Sequence, residues 1–437
     1  MARRALLISP HFPPDSTAAT HRVRVLAPYL AQFGWVPTVL TVEAGACEGA
    51  LDPDLLALVP DTLSIVRARA WRAGVTRRFG VGDLGLRSLA GLWRQANALL
   101  STGRFDVFFI TIHPTYTAVL GPGLRARHGV PFVLDYQDPW VGAWGRTVGT
   151  GLEGRPEIRS RLTRALGAWL EPRVVRAADG VTAVSARTYE DVLARVPDAH
   201  PIVRAALPLG FDDADMTHLL RHPRPVRHFD PSDGNVHVCC VGTILPEGQR
   251  VLRLFLAGAA WLQQHRPAVA ARLRLHFIGT SNQRVAGQPP RVLPMARALG
   301  VSHLVTEVPE RVDYLDALNA QFQAHGVALL GSTEPHYTPS KAYPALASGR
   351  PLIALYHEAS SVVPLLRASP VADLLTFAED CQEEVLAPRV GLALGRIVER
   401  PPAASVPAPG AGNASWSARA IAGELAGVFD AVSKGRA

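Results

Sequence analysis

The sequence predicts an α/β chain of two doubly wound, parallel-sheet domains, and three observations carry that prediction. Apolar runs of about four to eight residues recur along the chain, most of them followed by a loop and a segment of helical periodicity, the pattern of βαβ units. The 437 residues exceed one ordinary domain of roughly 100 to 200 residues. Arg221 to Asn235, rich in Pro, His and charge, interrupts the alternation near the middle and reads as a linker. The expected division is a first domain at residues 1–222, joined by a terminal helix at 415–437, and a second at 223–405.

In the first half, Ala5 to Ser9 reads as a strand buried on both faces. His11-Phe-Pro-Pro-Asp15 ends it. From Thr17, a helical face of Val23, Leu26, Leu30 and Phe33 runs to Gly34, and Val36 to Val42 is the next strand. Ligands of doubly wound sheets bind at the carboxyl ends of the strands, so Pro10 to His21 is a candidate binding loop, with Ser16 and Thr17 small enough for close approach. It has no Gly-x-Gly-x-x-Gly, which argues against a dinucleotide.

Arg67 to Arg94 interleaves seven arginines with Trp71, Phe79, Leu84, Leu86 and Trp93. Such a segment fits either attachment to an anionic membrane surface or an ordinary amphipathic helix with a solvated arginine face. Phe105 to Ile112 and Val130 to Leu134 read as strands, with His113 and Asp138 just past their ends, where a carboxylate can orient or deprotonate an acceptor hydroxyl. Gly180 to Ser185 is a further strand.

The second half repeats the alternation: strands at Val236 to Val241, Leu273 to Gly279, around Val305, Gly326 to Leu330 and Leu352 to Leu355, with helices from about Arg250, near Ala296 and across Tyr314 to Ala324. Ser415 is placed to cap a terminal helix with Ile421, Leu425 and Val428 on one face.

Only two of the 45 cationic residues are lysines, Lys341 and Lys434. Lys341 lies in Thr338-Pro-Ser-Lys-Ala-Tyr-Pro-Ala-Leu-Ala-Ser-Gly-Arg-Pro351, where Thr338 can cap a helix and Pro339 can open it, the outline of a phosphate site. The net charge of +8 suits an anionic surface or a phosphate-bearing substrate. No dense basic run, stacked-aromatic motif or finger spacing points to nucleic acid. The four cysteines form no Cys-x-x-Cys pair or zinc spacing and read as buried thiols, so no metal is expected. The first apolar run is too short for a signal peptide, and no run approaches the ~18 to 20 residues of a membrane span, so the expectation is a cytoplasmic protein, peripheral at most to the inner face of the membrane.

Six pieces in order, Ser9 to Pro14, Phe132 to Trp140, Ala178 to Ser185, Pro208 to Asp212, Val241 to Thr243 and Pro339 to Pro351, resemble the GT-B-fold retaining glycosyltransferases of family 4 (glycosyl transferases group 1). The resemblance implies two Rossmann-like domains facing across a cleft, with a nucleoside-diphosphate sugar as donor substrate and no other cofactor. The donor would lie mainly on the second domain and a glycan or lipid-linked acceptor on the first. It implies that Gly242 and Thr243 approach the donor, that Lys341 and Ser340 lie near its diphosphate with Arg250 as a further cation and Tyr343 among the donor-binding residues, and that Asp138 positions the acceptor, with Asp138, Lys341 and His113 as the catalytic set. Cations can stabilise the departing diphosphate without a metal. The family usually carries two glutamates separated by seven residues, and here those positions hold His336 and Pro344, leaving Glu334 as the nearby carboxylate. Pro344 lacks an N–H, which starts the helix nearer Ala342 than Pro339. Two other readings follow: a non-catalytic relative that binds a partner or glycan, and a GT-B-fold sugar epimerase.

Overall fold

The computed structural model describes residues 2–47, 49, 51–141, 158–281, 283–334, 339–378, 382–400 and 414–434. The chain forms two compact units, Met1–Leu209 with Ser415–Ala437, and Gly210–Ala414.

The first unit holds β1 (Arg3–Ile8), β2 (Trp35–Val42), β3 (Ser64–Ala68), β4 (Val107–Thr111), β5 (Phe132–Tyr136), β6 (Gly180–Ala183) and β7 (Val203–Ala206). They form one parallel sheet in the order β3-β2-β1-β4-β5-β6-β7. The second unit holds β8 (Val236–Val241), β9 (Leu273–Ile278), β10 (Val305–Val308), β11 (Gly326–Leu330), β12 (Leu352–His357) and β13 (Ala372–Phe377). Their order is β10-β9-β8-β11-β12-β13, again parallel. Two Rossmann-like α/β units are therefore present. Each sheet reverses its winding once, between β1 and β4 in the first and between β8 and β11 in the second, and a crevice opens at the carboxyl ends of the strands at such a point.

The central strands are those the apolar runs predict, because both faces of β1 and β4 are buried under helices. The edge strands β3 and β7 escaped the sequence reading: they are only half buried and carry Arg67 and Arg204, so they lack a continuous apolar run. β13 and the helix Glu383–Glu399 were also not anticipated.

The Arg67 to Arg94 stretch is not one amphipathic helix. It comprises the end of β3, a short helix Ala73–Thr76, a 3-10 turn Arg77–Phe79 and most of the helix Leu84–Leu100. Two of its arginines are structural: Arg67 donates to the carbonyls of Val42 and Pro13, and buried Arg87 donates to those of Gly82, Trp71 and Ala46.

The helix Ala418–Lys434 completes the first unit's core, where Ile421, Leu425, Val428, Phe429 and Val432 pack with residues of β1, β2 and β4. Trp35 donates its indole N–H to Asp430 (2.9 Å), and Arg3 pairs with the same carboxylate (2.7 Å). Its cap is Ser417, whose hydroxyl accepts from the Ala420 amide (3.2 Å), rather than Ser415, which lies in the preceding 3-10 turn. Residues 210–222, assigned from the sequence to the first domain, fall in the second unit, where the helix Asp213–Arg221 forms and Asp215 accepts from the Tyr314 hydroxyl (2.7 Å). Cys239 and Cys240 are buried as expected, Cys47 is partly exposed, and Cys381 lies outside the described residues.

Candidate functional site

In the first unit the switch point brings the segments after β1 and β4 side by side. The rings of His11 and His113 stand 5.6 Å apart between centroids, tilted by 43°. His11 Nδ1 is hydrogen-bonded to the fully buried carboxylate of Asp15, which also accepts from the Thr17 amide (3.2 Å) and hydroxyl (2.9 Å). Burial opposes ionisation of Asp15, but these donors outweigh it and hold the carboxyl below its ordinary range. An ionised Asp15 needs a proton on His11 Nδ1, which leaves Nε2 as the basic nitrogen while the ring is neutral.

His113 Nδ1 lies 3.6 Å from Asp138 Oδ2, too long for a direct hydrogen bond but close enough for the charges to interact. Desolvation depresses the His113 pKa and Asp138 opposes that depression, while His11 adds to it. The protein packed around Asp138 raises its pKa, partly offset by His113, although 54% of the side chain still meets solvent, so it sits on a rim and not in a sealed core.

His11, Thr17, Asp83 and His113 line a cavity of about 420 Å³. Asp83 caps the helix Leu84–Leu100 through the Leu86 amide (2.9 Å), and burial raises its pKa. Of the predicted residues, His113 and Thr17 line this cavity, Asp138 stands beside His113 without lining it, and Ser16 is buried. Sequence reasoning missed His11, Asp15 and Asp83. The His-Asp pair four residues apart, directly after the first strand, was the signal for the first two.

A second pairing lies outside the residues that line the cavity. Arg22 and Asp135, both wholly buried, form a two-pronged ion pair (2.8 and 2.6 Å). Arg22 also donates to the carbonyls of Leu207 and Pro208, and Asp135 accepts from the Thr182 hydroxyl, so the pair ties the binding-loop helix to β5, β6 and the 207–208 turn.

In the second unit the switch point lies between β8 and β11. Gly242 follows β8 with φ 107°, a conformation that favours glycine, and Lys341 Nζ donates to the Thr243 carbonyl (3.0 Å). Gly242, Thr243 and Lys341 are thus in mutual contact. The following helix, Ala342–Ala347, begins where Pro344 requires. It is only six residues long and has no side-chain cap, so the positive charge here is that of Lys341 more than of a helix terminus. Thr338 and His336 lie outside the described residues. Ser340 is exposed just before Lys341, and Arg250 is exposed in the first turn of the helix Gln249–His265. Tyr343 is buried and does not present its ring to solvent.

Glu334 follows β11 with its amide bonded to the Ser332 hydroxyl (3.1 Å); burial, then the nearby Glu247, raises its pKa. Among the described residues no group of three or more His, Cys, Asp or Glu side chains is arranged to hold a metal ion, and no helix is long and apolar enough to cross a membrane.

Residues 17–208 match the family model of the glycosyl transferase 4-like domain. Among solved structures, the fold is similar to that of Anabaena Alr3699/HepE in complex with UDP: TM-score 0.54 at 16% identity, covering 98% of this chain and 99% of that one. A UDP-forming alpha,alpha-trehalose-phosphate synthase from Burkholderia vietnamiensis gives 0.53 at 12% identity, covering 99% and 98%. A Listeria monocytogenes protein described as a UDP-N-acetylglucosamine 2-epimerase gives 0.52 at 11% identity, covering 97% and 95%. No curated protein matches the sequence. At these identities the structural likeness speaks to the fold.

Proposed function

We propose, from the premise that this chain is a GT-B-fold glycosyltransferase of family 4 (glycosyl transferases group 1), that it transfers a sugar from a nucleoside-diphosphate sugar to an acceptor hydroxyl with retention of configuration. The observation that carries the reading is the contact of Lys341 with Gly242 and Thr243 at the second sheet's switch point. An ammonium held there meets the charge that builds on a departing diphosphate, with Arg250 as a second cation and Ser340 as a hydroxyl donor. The bond from C1 to the diphosphate breaks with its electron pair on the phosphate oxygen. The acceptor oxygen bonds C1 from the same face, and its proton passes to that phosphate oxygen, so neither a carboxylate nucleophile nor a metal is part of this reading.

The acceptor belongs in the first unit's cavity. Asp138 and His113 orient its hydroxyl, with Thr17 on the wall. The similarity to a complex with UDP favours a uridine nucleotide as the donor's base. Glu334 takes the ribose role that a glutamate at position 344 would otherwise fill. Growth of a cell-surface polysaccharide or another glycoconjugate, on the cytoplasmic face of a membrane, is the setting this chemistry suits.

Calorimetric titration with a panel of nucleotide sugars tests the reading: binding that Lys341→Ala weakens supports it, and no binding by any member sinks it. The likeness to a 2-epimerase favours one second reading, which predicts an altered nucleotide sugar with no acceptor present. Pro344 favours another, a relative that binds without turnover, and acceptor-dependent release of nucleoside diphosphate eliminates it.

A further inference from the structure

Residues 66–82 contain five arginines and no acidic residue. Within them Trp71, Val75 and Phe79, four residues apart, are 67%, 57% and 82% exposed. A single exposed apolar side chain is ordinary, but three in nine residues mark a surface made to meet something. The segment's base is fixed: Arg67 and Arg87 spend their donors on backbone carbonyls, the Trp71 amide donates to the Arg87 carbonyl (3.0 Å), and buried Thr76 anchors the short helix Ala73–Thr76. What projects is therefore a set of apolar side chains interspersed with Arg69, Arg72, Arg77 and Arg78, all exposed, of which Arg69 also lies 3.7 Å from the Glu43 carboxylate.

The charge pattern selects the occupant. A protein partner would have to match carboxylates and apolar surface alternately within nine residues, and a nucleic acid would leave Val75 and Phe79 without a matching apolar surface. An anionic bilayer offers both at once, phosphates at the level of the arginines and acyl chains beneath them.

We propose that Arg69 to Gly80 is a membrane-docking element, in which Trp71, Val75 and Phe79 enter the interfacial layer of an anionic bilayer while Arg72 and Arg78 pair with lipid phosphates. Its far end runs into Gly82 and Asp83, which wall the cavity holding His11 and His113. Resting on the proposed function, this position means that the acceptor reaches the cavity from the bilayer surface, as a lipid-linked molecule.

The full chain is sedimented with vesicles of phosphatidylcholine alone or mixed with phosphatidylglycerol, and donor binding is measured on the same preparations. The expected result is binding to the anionic vesicles that high salt reverses. Trp71→Ser and Phe79→Ser should each weaken it about tenfold, from the apolar area withdrawn. Arg72→Gln and Arg78→Gln should each weaken it about fivefold at low salt. Val285→Ser, an exposed apolar site in the second unit, should change nothing. Trp71→Phe should keep binding while removing part of the fluorescence quenching by brominated acyl chains.

Equal binding to neutral and anionic vesicles overturns the proposal, as does a Trp71→Ser/Phe79→Ser variant that sediments like the wild type, or retention of nucleic acid without vesicle binding. Donor binding that survives while vesicle binding fails removes the docking element and leaves glycosyl transfer standing. The converse result removes only the catalytic reading.

Discussion

The side chain of Lys341 occupies the space that a β-carbon on Gly242 would need: such a carbon would stand 2.7 Å from Cε and 3.0 Å from Nζ. The two residues therefore constrain each other, since glycine supplies the backbone conformation and leaves the gap through which the ammonium reaches the Thr243 carbonyl. Gly242→Ala is expected to cost about 1–3 kcal/mol from the positive φ, plus a clash term that disappears when Lys341 is shortened. In a double-mutant cycle by chemical denaturation, Gly242→Ala/Lys341→Ala should be less destabilised than the sum of the single changes. Additivity would mean the two do not share that space.

On the proposed function, Lys341 is the cation that meets the charge developing on the leaving diphosphate. Lys341→Met is expected to lower kcat by about two to three orders of magnitude while the fold survives, the scale of losing one electrostatic donor to a transition state. Release of nucleoside diphosphate under saturating donor, with circular dichroism as the control, checks this. Near-normal turnover in Lys341→Met would move the donor site elsewhere.

The interaction of His113 with Asp138 has a sign that can be read. A nearby carboxylate stabilises the imidazolium, so Asp138→Asn should depress the already lowered His113 pKa further, as followed by the ring-proton shifts of His113 in an NMR titration. Because burial raises the Asp138 pKa, an acid limb in the pH–rate profile that depends on Asp138 should lie above the ordinary aspartate range and vanish in Asp138→Asn.

Arg22 and Asp135 are expected to behave as a unit. Arg22→Met or Asp135→Asn leaves a buried partner uncompensated and should cost about 3–5 kcal/mol, whereas an apolar pair of similar volume should cost far less. Denaturant midpoints of the single and paired variants distinguish this from a surface contact, for which the singles would cost almost nothing.

A cluster in the second unit predicts acid sensitivity. His237 and His276 are hydrogen-bonded to each other (2.9 Å) and stacked with Phe229, and burial lowers the His276 pKa to about 4. The folded state therefore prefers neutral His276. Its contribution is complete above the unfolded value of 6.5 and is lost as the pH falls through about 4, a loss of roughly 3 kcal/mol in all. Thermal unfolding of His276→Gln should show a flatter dependence between those limits than the wild type.

Much of this architecture was legible in the sequence because buried parallel strands are written as uninterrupted apolar runs. Gly326 to Leu330 appears in the structure with the bounds the sequence suggested. The position of Lys341 was legible for another reason: lysine is rare here, and Pro344 limits where the next helix can start. What stayed hidden depends on contacts distant in sequence. The partnership of Arg22 with Asp135 spans 113 positions, and Arg22 reads as a solvated residue of an amphipathic helix until the fold buries it. The same limit hid the contrast within the Arg67 to Arg94 stretch, where two arginines serve backbone carbonyls and their neighbours face solvent. Tyr343 shows the reverse case, a residue placed at the donor by its motif but turned into the core by its helix.

The helix Ala418–Lys434 supplies Ile421, Leu425, Phe429 and Val432 to the core that β1 begins. During synthesis, then, the first unit to emerge from the ribosome is the last to be finished: more than two hundred residues of the second unit are made while a strip of its apolar surface lies bare. The nascent chain carries that half-built domain through much of translation, with bare apolar surface open to aggregation until the closing helix covers it.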